Sequence, residues 1–386
     1  MTQRSLAPRE HFPALAEHTY LNAASIALSP LPVLEEVERF QRQVAANGTL
    51  SLDDEAEAWL FDEPRRRAAG LVGGREEDVA ITSSATEALS QLAWGLFPGR
   101  GSNVVSADIE FPSVTYPWLR LAQTSGVEVR LARAFDDPAG FSLERVAELV
   151  DDATAAICVS HVQYGTGHRL DPRVLAELAH SHGAVLILDA TQSAGVIPID
   201  APALDQDVVI SSAYKWLCGP LGGAFCWLRR EVWEQLEPPF LAARSTARPY
   251  HFDARTIELA PSARRFEYAT ISYAAAIGLG AAIDYVTGFG VDRVEEHVLG
   301  LTARLMDGLD DLGADVVTPR EDDRRAGVVN ARFPGKSAEA LVETLVAERV
   351  HAAPRLGGVR FSPHLYNDDA DVDRALEVLG RALATS

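Results

Sequence analysis

The feature that most constrains the fold is an alternation of short apolar runs with amphipathic helical stretches between residues 75 and 230. The apolar runs are rich in β-branched residues and lie at 78–83, 103–107, 127–132, 155–162, 184–188, 207–211 and 223–228. Helical periodicity lies between several of them, for example at 85–96 and 172–181. Because strands interleaved with helices form a sheet covered on both faces, the pattern predicts an α/β domain with a mostly parallel seven-stranded sheet flanked by helices.

The pattern changes towards the C-terminus. Residues 272–312 have the periodicity of long helices, interrupted at 288–290, and apolar runs near 327–333 and 359–362 flank an amphipathic helix at 338–347. We therefore predict an N-terminal arm and large domain at 1–265, followed by a linking helix and a smaller α+β domain at 266–386. The Pro- and Arg-rich stretch at 237–265 is predicted to be an exposed loop between the two.

Charge and cysteine content exclude several classes of function. The 55 acidic and 35 basic residues leave a net charge of −20, which argues against a nucleic-acid partner or an anionic membrane surface. Residues 1–9 lack the apolar core of a secretory signal, and no apolar run reaches a membrane-spanning length of about 20 residues. Cys158, Cys218 and Cys226 lie in apolar stretches without disulfide or metal-ligand spacing. We expect a cytoplasmic protein without a metal site.

A lysine directly after an apolar run is the first candidate for chemistry. Lys215 follows the run at 207–211 and stands beside aromatic residues and a Gly-Pro turn. Burial lowers the pKa of a lysine amine, which then becomes a nucleophile able to form a Schiff base. The alternative is a lysine at a strand end that extends its charge into water.

Two further segments fit the same edge of the sheet. Asp189 ends the preceding apolar run and is either a helix N-cap or the partner of a protonated ring nitrogen, as pyridoxal 5′-phosphate (PLP) requires. Hydroxylic residues follow the run at 78–83 and lead into a helix, whose N-terminus offers N–H groups to a phosphate or carries a plain Ser/Thr cap. Ligands of open α/β sheets bind at the carboxyl ends of the strands, where these segments meet.

These segments, with two terminal motifs, resemble the class V aminotransferase family of fold-type I PLP enzymes, which includes cysteine desulfurases, kynureninases and isopenicillin N epimerases. The resemblance begins at Tyr20-Leu-Asn-Ala-Ala-Ser25 and ends at Val359-Arg360-Phe-Ser-Pro-His-Leu-Tyr-Asn367, so it covers most of the chain. It implies a PLP cofactor, an amino-acid substrate and a homodimer with shared active sites.

The resemblance also implies a role for each matching residue. Lys215 would form the Schiff base, Asp189 would pair with the pyridine nitrogen, and Gln192 would donate to the phenolic oxygen of the cofactor. Arg360 would grip the substrate α-carboxylate, for which the alternative is a surface ion pair. The remaining cofactor contacts would come from Ser84, Ala85, Thr86, Ser212 and Tyr214, from Phe111 stacking where relatives have histidine, and from Thr270 reaching the neighbouring subunit; Asn22 and Tyr164 would lie on the substrate side.

The reaction type is less constrained than the cofactor. Cysteine desulfurases carry a mobile cysteine shortly before the substrate arginine, whereas this chain has Val350-His-Ala-Ala-Pro354, which argues against a persulfide-forming desulfurase. The motif at 161–167 is mixed, because its His-Val opening resembles desulfurases and its Gln-Tyr-x-Thr-Gly part resembles kynureninases. Tyr214 is also kynureninase-like, but the phosphate segment and the Arg-Phe-Glu motif are not. We expect an enzyme that acts through an external aldimine and Cα-proton abstraction, as a transaminase or a β-eliminating C–S lyase. The alternatives are a kynureninase-like C–C hydrolase, an amino-acid epimerase, or a catalytically silent scaffold. His161, His168, His351 and His364 are expected to be structural.

Overall fold

The computed structural model describes residues 3–137, 140–251 and 253–385. Its helices are α1 (Leu31–Asn47), α2 (Asp54–Ala58), α3 (Asp62–Leu71), α4 (Ala85–Leu96), α5 (Pro112–Ser125), α6 (Leu143–Ala147), α7 (Pro172–Ser181), α8 (Arg230–Gln235), α9 (Tyr273–Thr287), α10 (Val291–Asp311), α11 (Ala338–Ala347) and α12 (Asp369–Thr385). Its strands are β1 (Thr19–Tyr20), β2 (Val79–Thr82), β3 (Asn103–Ala107), β4 (Glu128–Ala132), β5 (Thr154–Ser160), β6 (Val185–Asp189), β7 (Val208–Ser212), β8 (Ala224–Leu228), β9 (Asp315–Val316), β10 (Val329–Arg332), β11 (Val350–His351), β12 (Ala353–Arg355) and β13 (Gly358–Phe361).

A seven-stranded sheet in the order β2-β8-β7-β6-β5-β3-β4 forms the large lobe. The pairs from β7 to β4 are parallel, and β8 is antiparallel to both of its neighbours. Strands β2, β3, β7 and β8 are buried along their whole length, whereas the edge strand β4 is partly exposed. The predicted seven strands and the mostly parallel sheet are confirmed, since apolar runs without alternation suit strands covered on both sides.

Helices cover both faces of this sheet because successive strand residues point to opposite sides. In β5, Cys158 packs in the cluster that includes α4 and α5, whereas Ile157 and Val159 pack in the cluster that includes α7. Helices α3 and α9 cover the remaining part of the second face, against β2 and β8. The helices predicted at 85–96 and 172–181 are confirmed as α4 and α7.

The C-terminal part forms an antiparallel sheet in the order β12-β13-β10-β9, covered by α10, α11 and α12. Helices α9 and α10 flank the predicted interruption at 288–290. The N-terminal strand β1 pairs with β11, and Asn22 bridges to Ser362, so part of the N-terminal arm contacts the small lobe. The division at residues 265 and 266 remains a proposal.

Two remaining stretches bear on the sequence predictions. The described part of 237–265 contains short 3-10 turns at Ala243–Ser245 and Ala263–Phe266 and a bridge between Thr246 and Leu259. Among the described residues, no single helix is long and apolar enough to cross a bilayer. Helices α9 and α10 are long and apolar enough only when taken together, and they meet at a bend of 74°.

Candidate active site

The carboxyl ends of three adjacent parallel strands bring polar side chains together. Ser160 ends β5 and pairs in register with Asp189, which ends β6, while Ser212 ends the next strand, β7. Lys215 follows β7 by three residues. These side chains line one cleft, whose full set of lining residues is Ala85, Thr86, Phe111, Ser113, Ser160, Tyr164, Asp189, Thr191, Gln192, Ser212, Tyr214 and Lys215.

A second, larger cavity lies elsewhere. It has a volume of about 420 Å³ and is lined by residues between Leu241 and Glu258 of the 237–265 stretch. We place the candidate active site in the smaller cleft because polar groups from several strands converge there.

Lys215 is held in a tight turn and is largely removed from water. Its side chain is 7% exposed, and its Nζ lies 5.4 Å from the centroid of the Phe111 ring and 5.7 Å from that of Tyr214. The amide of Cys218 donates to the Lys215 carbonyl at 2.9 Å, and Cys218 has a positive φ of 56°. Burial lowers the pKa of Lys215 to about 8; Asp189 opposes this effect, whereas Arg360 and Arg355 add to it.

Asp189 is a buried carboxylate with little compensation from its own surroundings. Its Oδ1 accepts a hydrogen bond from the amide of Thr191 at 2.9 Å. Burial raises the pKa of Asp189, while the Thr191 hydrogen bonds and the charge of Lys215 act in the opposite direction. A carboxylate in this position favours a cationic N–H partner in the cleft, since such a partner would offset the cost of burial.

Glu110 lies near Asp189, and the sequence predicted no role for it. It accepts hydrogen bonds from the amide and hydroxyl of Ser160, at 2.8 and 2.5 Å, and from Nε2 of Gln163 at 2.6 Å. Burial raises the pKa of Glu110 to about 7, and the charge of Asp189 adds to the effect. Glu110 therefore fixes the Ser160 hydroxyl at the edge of the cleft.

The N-terminus of α4 opens into the same cleft. The Ser84 hydroxyl caps this helix by accepting from the amide of Glu87 at 3.1 Å. The amide of Ala85 donates to the Ser212 hydroxyl at 3.0 Å, and the Thr86 and Ser113 hydroxyls lie 2.6 Å apart. Among the described residues, the Thr86 amide has no hydrogen-bond acceptor. A helix N-terminus with a free amide and nearby hydroxyls suits a phosphate.

Gln192 links the cleft to the N-terminal segment. Its Oε1 accepts from Trp216 Nε1 at 2.7 Å, and its Nε2 donates to the Ala24 carbonyl at 3.1 Å, which leaves its second amide hydrogen for a ligand. Asn22 lies on the same segment, does not line the cleft, and has a buried Oδ1 without a partner in the described part of the chain.

Arg360 is buried next to this segment. It is 1% exposed and donates to the Tyr164 carbonyl at 2.8 Å and to the Ser25 hydroxyl at 2.6 Å. Arg360 has no ion pair with a carboxylate in the described part of the chain, and its burial rules out the alternative of a surface ion pair. Burial lowers the pKa of Arg360 to about 9, and the charge of Arg355 adds to this effect.

Aromatic side chains form the outer wall of the cleft. Phe111 begins α5 as its N-cap residue and is 42% exposed. Its ring meets the Tyr164 ring edge to face, with centroids 5.5 Å apart. Tyr214 is half-buried, and burial raises the pKa of its hydroxyl, which stays protonated at neutral pH. The exposed face of Phe111 leaves room for stacking on a planar ligand.

Other predicted residues lie apart from the cleft. Thr270 is exposed and does not line it. His161 and His364 are buried, burial lowers the pKa of both to about 3, and they contact the Ser193 hydroxyl and the Trp216 carbonyl respectively. These contacts agree with a structural role.

The three cysteines are all buried, and burial raises the pKa of each thiol well above its ordinary value. Cys158 and Cys226 lie within β5 and β8, and Cys218 lies in the lysine turn with no exposed surface. None of them lines the cleft.

Sequence reasoning missed Ser113, Ser160 and Thr191, which line the cleft, and Arg355, whose charge reaches Lys215. Ser160 ends a predicted strand beside Asp189, so the rule that placed Asp189 could also have found it. Ser113 and Arg355 carry no such signal, because only the packing of α5 and the pairing of β12 bring them near the site.

The whole chain is similar to known proteins. The sequence model of the family described as aminotransferase class-V matches residues 19–375. A probable cysteine desulfurase of Methanothermobacter thermautotrophicus is 33% identical over 300 residues, which span 77% of this chain and 74% of that relative. A probable cysteine desulfurase of Pyrococcus abyssi is 28% identical over 389 residues, spanning 96% of each chain. The apo structure of a cysteine desulfurase from Thermococcus onnurineus has 26% identity and a TM-score of 0.88, with 98% of both chains covered.

Proposed function

Because the chain belongs to the class V aminotransferase family, we propose that it is a β-eliminating lyase that cleaves the C–S bond of a cysteine-type amino acid and releases the sulfur product directly. Membership makes it a PLP-dependent enzyme and argues against a catalytically silent scaffold. The relatives named as cysteine desulfurases support cleavage of a C–S bond, and the absence of a cysteine from the cleft lining supports direct release of the sulfur product rather than its transfer to the protein.

The residues of the cleft fit PLP. Asp189 offers a buried carboxylate for the ring nitrogen, and the α4 N-terminus offers the free Thr86 amide and hydroxyl for the phosphate. Lys215 offers an amine of lowered pKa, and the exposed ring of Phe111 would stack on the cofactor. Gln192 retains one amide hydrogen for the phenolic oxygen. When bound, PLP withdraws electrons from the Cα of an amino acid and so makes its bonds easier to break.

Lys215 is the residue proposed to remove the Cα proton of the substrate. With a pKa of about 8, a substantial fraction of its amine is neutral near pH 7.5, and a neutral amine acts as a nucleophile and as a base. Asp189 opposes complete loss of the positive charge, whereas Arg355 and Arg360 favour it. Nζ can therefore accept the Cα proton and return it without leaving the cleft.

Substrate binding is assigned to Arg360 and its neighbours. Two N–H groups of Arg360 are used by Tyr164 and Ser25, while its Nε is buried without a partner in the described residues. A guanidinium without a carboxylate can bind the substrate α-carboxylate with parallel, charge-assisted hydrogen bonds. Tyr164 and Asn22 remain proposed contacts on the substrate side.

We assign proton donation to the departing sulfur to tyrosine side chains of the cleft. Phe111 stands where the resemblance implies a histidine, so this position supplies no imidazole to the cleft. Tyr164 and Tyr214 both line the cleft, and the raised pKa of Tyr214 keeps its hydroxyl protonated. A protonated phenol can supply a proton to a thiolate as it leaves.

A homodimer with shared sites is part of the proposal. Thr270 is exposed and lies outside the cleft of its own chain, in agreement with a contact to the cofactor phosphate of a second copy. Size-exclusion chromatography with light scattering should give twice the mass of 41.7 kDa. A monomer with full activity would refute this part of the proposal.

The reaction is tested with the PLP-loaded enzyme and L-cysteine or its S-alkyl derivatives. We expect pyruvate and ammonia together with sulfide or the free thiol, in equal amounts and with the cofactor spectrum restored. Alanine with a persulfide on Cys158, Cys218 or Cys226, detected by alkylation and peptide mass spectrometry, would contradict the proposal. Conversion of the cofactor to its amine form, together with a keto acid, would indicate transamination instead. Lys215→Arg is the matched control, since it keeps the charge but should abolish product release.

A further inference from the structure

The small sheet places a second arginine beside Arg360. In the antiparallel pair of β12 and β13, Ala353 lies opposite Arg360, and Arg355 lies two residues further along β12. Because side chains alternate along a strand and directly opposed residues share a face, Arg355 and Arg360 project from the same face of the sheet. Diagonal neighbours of this kind lie about 7–8 Å apart.

This face is directed towards the active site. Arg360 donates to the Tyr164 carbonyl, and Asn330 Nδ2 donates both to the Gly165 carbonyl, at 2.7 Å, and to the Arg355 carbonyl, at 2.9 Å. Asn330 therefore ties the end of β12 to the loop whose Tyr164 lines the cleft. The charge of Arg355 also lowers the pKa of Lys215, which agrees with this placement.

Arg355 has no carboxylate partner among the described residues. Its side chain is half-buried, its NH1 donates to the Pro354 carbonyl at 2.7 Å, and no described acidic group lies within 4.0 Å. Acidic residues are plentiful in this chain, and other buried or half-buried arginines have found them, such as Arg65 with Glu267 and Arg169 with Glu295. A guanidinium that has no counter-charge and is close enough to Lys215 to lower its pKa suits an anion that arrives with a ligand.

We propose that Arg355 is a specificity-determining residue that binds an anionic group on the side chain of the substrate. The preferred substrate is then an amino acid with two acidic groups, an S-substituted cysteine whose leaving group carries a carboxylate. Arg360 binds the α-carboxylate, and Arg355, on the same face, binds the second anion. The identity of the leaving group rests on the proposed β-elimination, whereas the requirement for a second anion does not.

The elimination on such a substrate balances without a further reagent. Lys215 takes the Cα proton, the Cβ–S bond breaks with its electron pair leaving on sulfur, and a phenol of the cleft protonates the thiolate. The resulting phenolate regains a proton from the Lys215 ammonium, so both groups return to their starting state. Addition of water and loss of ammonia convert the remaining three-carbon unit into pyruvate. Arg355 takes part in no bond change; it holds the carboxylate of the thiol that leaves.

The test compares two substrates of nearly equal shape on the PLP-loaded enzyme, S-carboxymethyl-L-cysteine and its neutral amide, S-carbamoylmethyl-L-cysteine. Two quantities are measured for each: the concentration that half-saturates the change in cofactor absorbance, and the rate of pyruvate formation. We expect the wild-type enzyme to bind the acid about 10- to 100-fold more tightly than the amide, the range typical of a hydrogen-bonded charge pair. Equal binding of acid and amide overturns the role of Arg355.

Three variants test whether the preference for the acid depends on Arg355. Arg355→Met should weaken binding of the acid by about the same 10- to 100-fold and leave binding of the amide within about twofold, while Arg355→Lys should retain part of the preference. Arg349→Gln is the matched control, because it removes one positive charge from a surface pair with Glu17 in the same lobe and should change neither substrate. Equal loss of both substrates in Arg355→Met refutes the assignment.

The two readouts separate this inference from the proposed function. Preferential binding of the acid without pyruvate would overturn β-elimination and leave Arg355 as the anion-binding residue. Pyruvate from both substrates at equal half-saturation would overturn the role of Arg355 and leave β-elimination standing. The wild-type comparison needs no variant, so a poorly folded Arg355→Met protein does not prevent a decision.

Discussion

The lowered pKa of Lys215 predicts an unusual pH dependence of its reactivity. The sequence contains two lysines, Lys215 and Lys336. When lysine amines are labelled, Lys336 therefore serves as the internal reference for Lys215. Lys336 lies in the loop before α11 and is half-buried at the surface. The prediction concerns the protein freed of cofactor, in which the Lys215 amine is not engaged.

The magnitude follows from the pKa. At pH 7.5 an amine with the ordinary pKa of 10.5 is neutral in about one molecule in a thousand, whereas a pKa of about 8 makes it neutral in about a quarter. The neutral form of Lys215 should thus be roughly 200-fold more abundant than that of an ordinary lysine. Its labelling should rise between about pH 7 and 9 and then level off.

The assay is reductive methylation with formaldehyde at a series of pH values, followed by quantification of the Lys215 and Lys336 peptides by mass spectrometry. Asp189→Asn should lower the pH midpoint, because the carboxylate raises the Lys215 pKa; Arg355→Gln should raise it, because that guanidinium lowers the pKa. A wild-type midpoint near 10.5, or midpoint changes of the opposite sign, would refute this account of the site.

Three further perturbations test the scaffold around the cleft. Glu267→Gln should cost about 3 kcal/mol in urea unfolding, since Glu267 binds the buried Arg65 through two hydrogen bonds of 3.1 Å; a loss below about 1 kcal/mol would contradict this. Ser84→Ala should cost about 1 kcal/mol of stability and weaken PLP binding in a fluorescence titration, whereas Ser84→Gly should cost a few tenths; equal effects of the two changes would argue against the cap. Gly327→Ala should lower both Tm and PLP content, because the added Cβ overlaps the ring of Trp216; cofactor content equal to wild type would exclude this coupling.

The large lobe could be predicted from the sequence because its strands are buried on both faces. Continuous apolar runs such as those of β7 and β8 leave few alternatives, and each is bounded by polar or glycine-containing turns. The positions of Asp189 and Lys215 followed from the same rule, since residues after parallel strands meet at one edge. The order of the strands, with β8 antiparallel between β2 and β7, has no local signal and depends on long-range pairing.

The cleft was only partly predictable because several of its groups come from distant segments. Glu110 reaches Ser160 across 50 residues, and Arg360 reaches Ser25 across 335 residues. A pattern within a window of residues contains no information on such contacts. Arg355 is the clearest case, because a lone arginine in a short strand resembles any surface arginine until the pairing of β12 with β13 sets its direction.

The charges around the cleft have the opposite sign to the protein as a whole. The chain has a net charge of −20, yet the positive groups near Lys215 are Arg355, Arg360 and the N-terminus of α4. The carboxylates near the cleft are Asp189 and Glu110. Leaving a guanidinium buried without a carboxylate costs free energy, and the lowered pKa of Arg360 expresses that cost. The cost falls when a phosphate and an acidic substrate bind, because their charges replace the missing counter-charges in a site already shielded from water. Anionic groups of the ligands thus neutralise the arginines and the α4 N-terminus around the cleft. For this reason a substrate that brings a second anion fits this site better than cysteine itself.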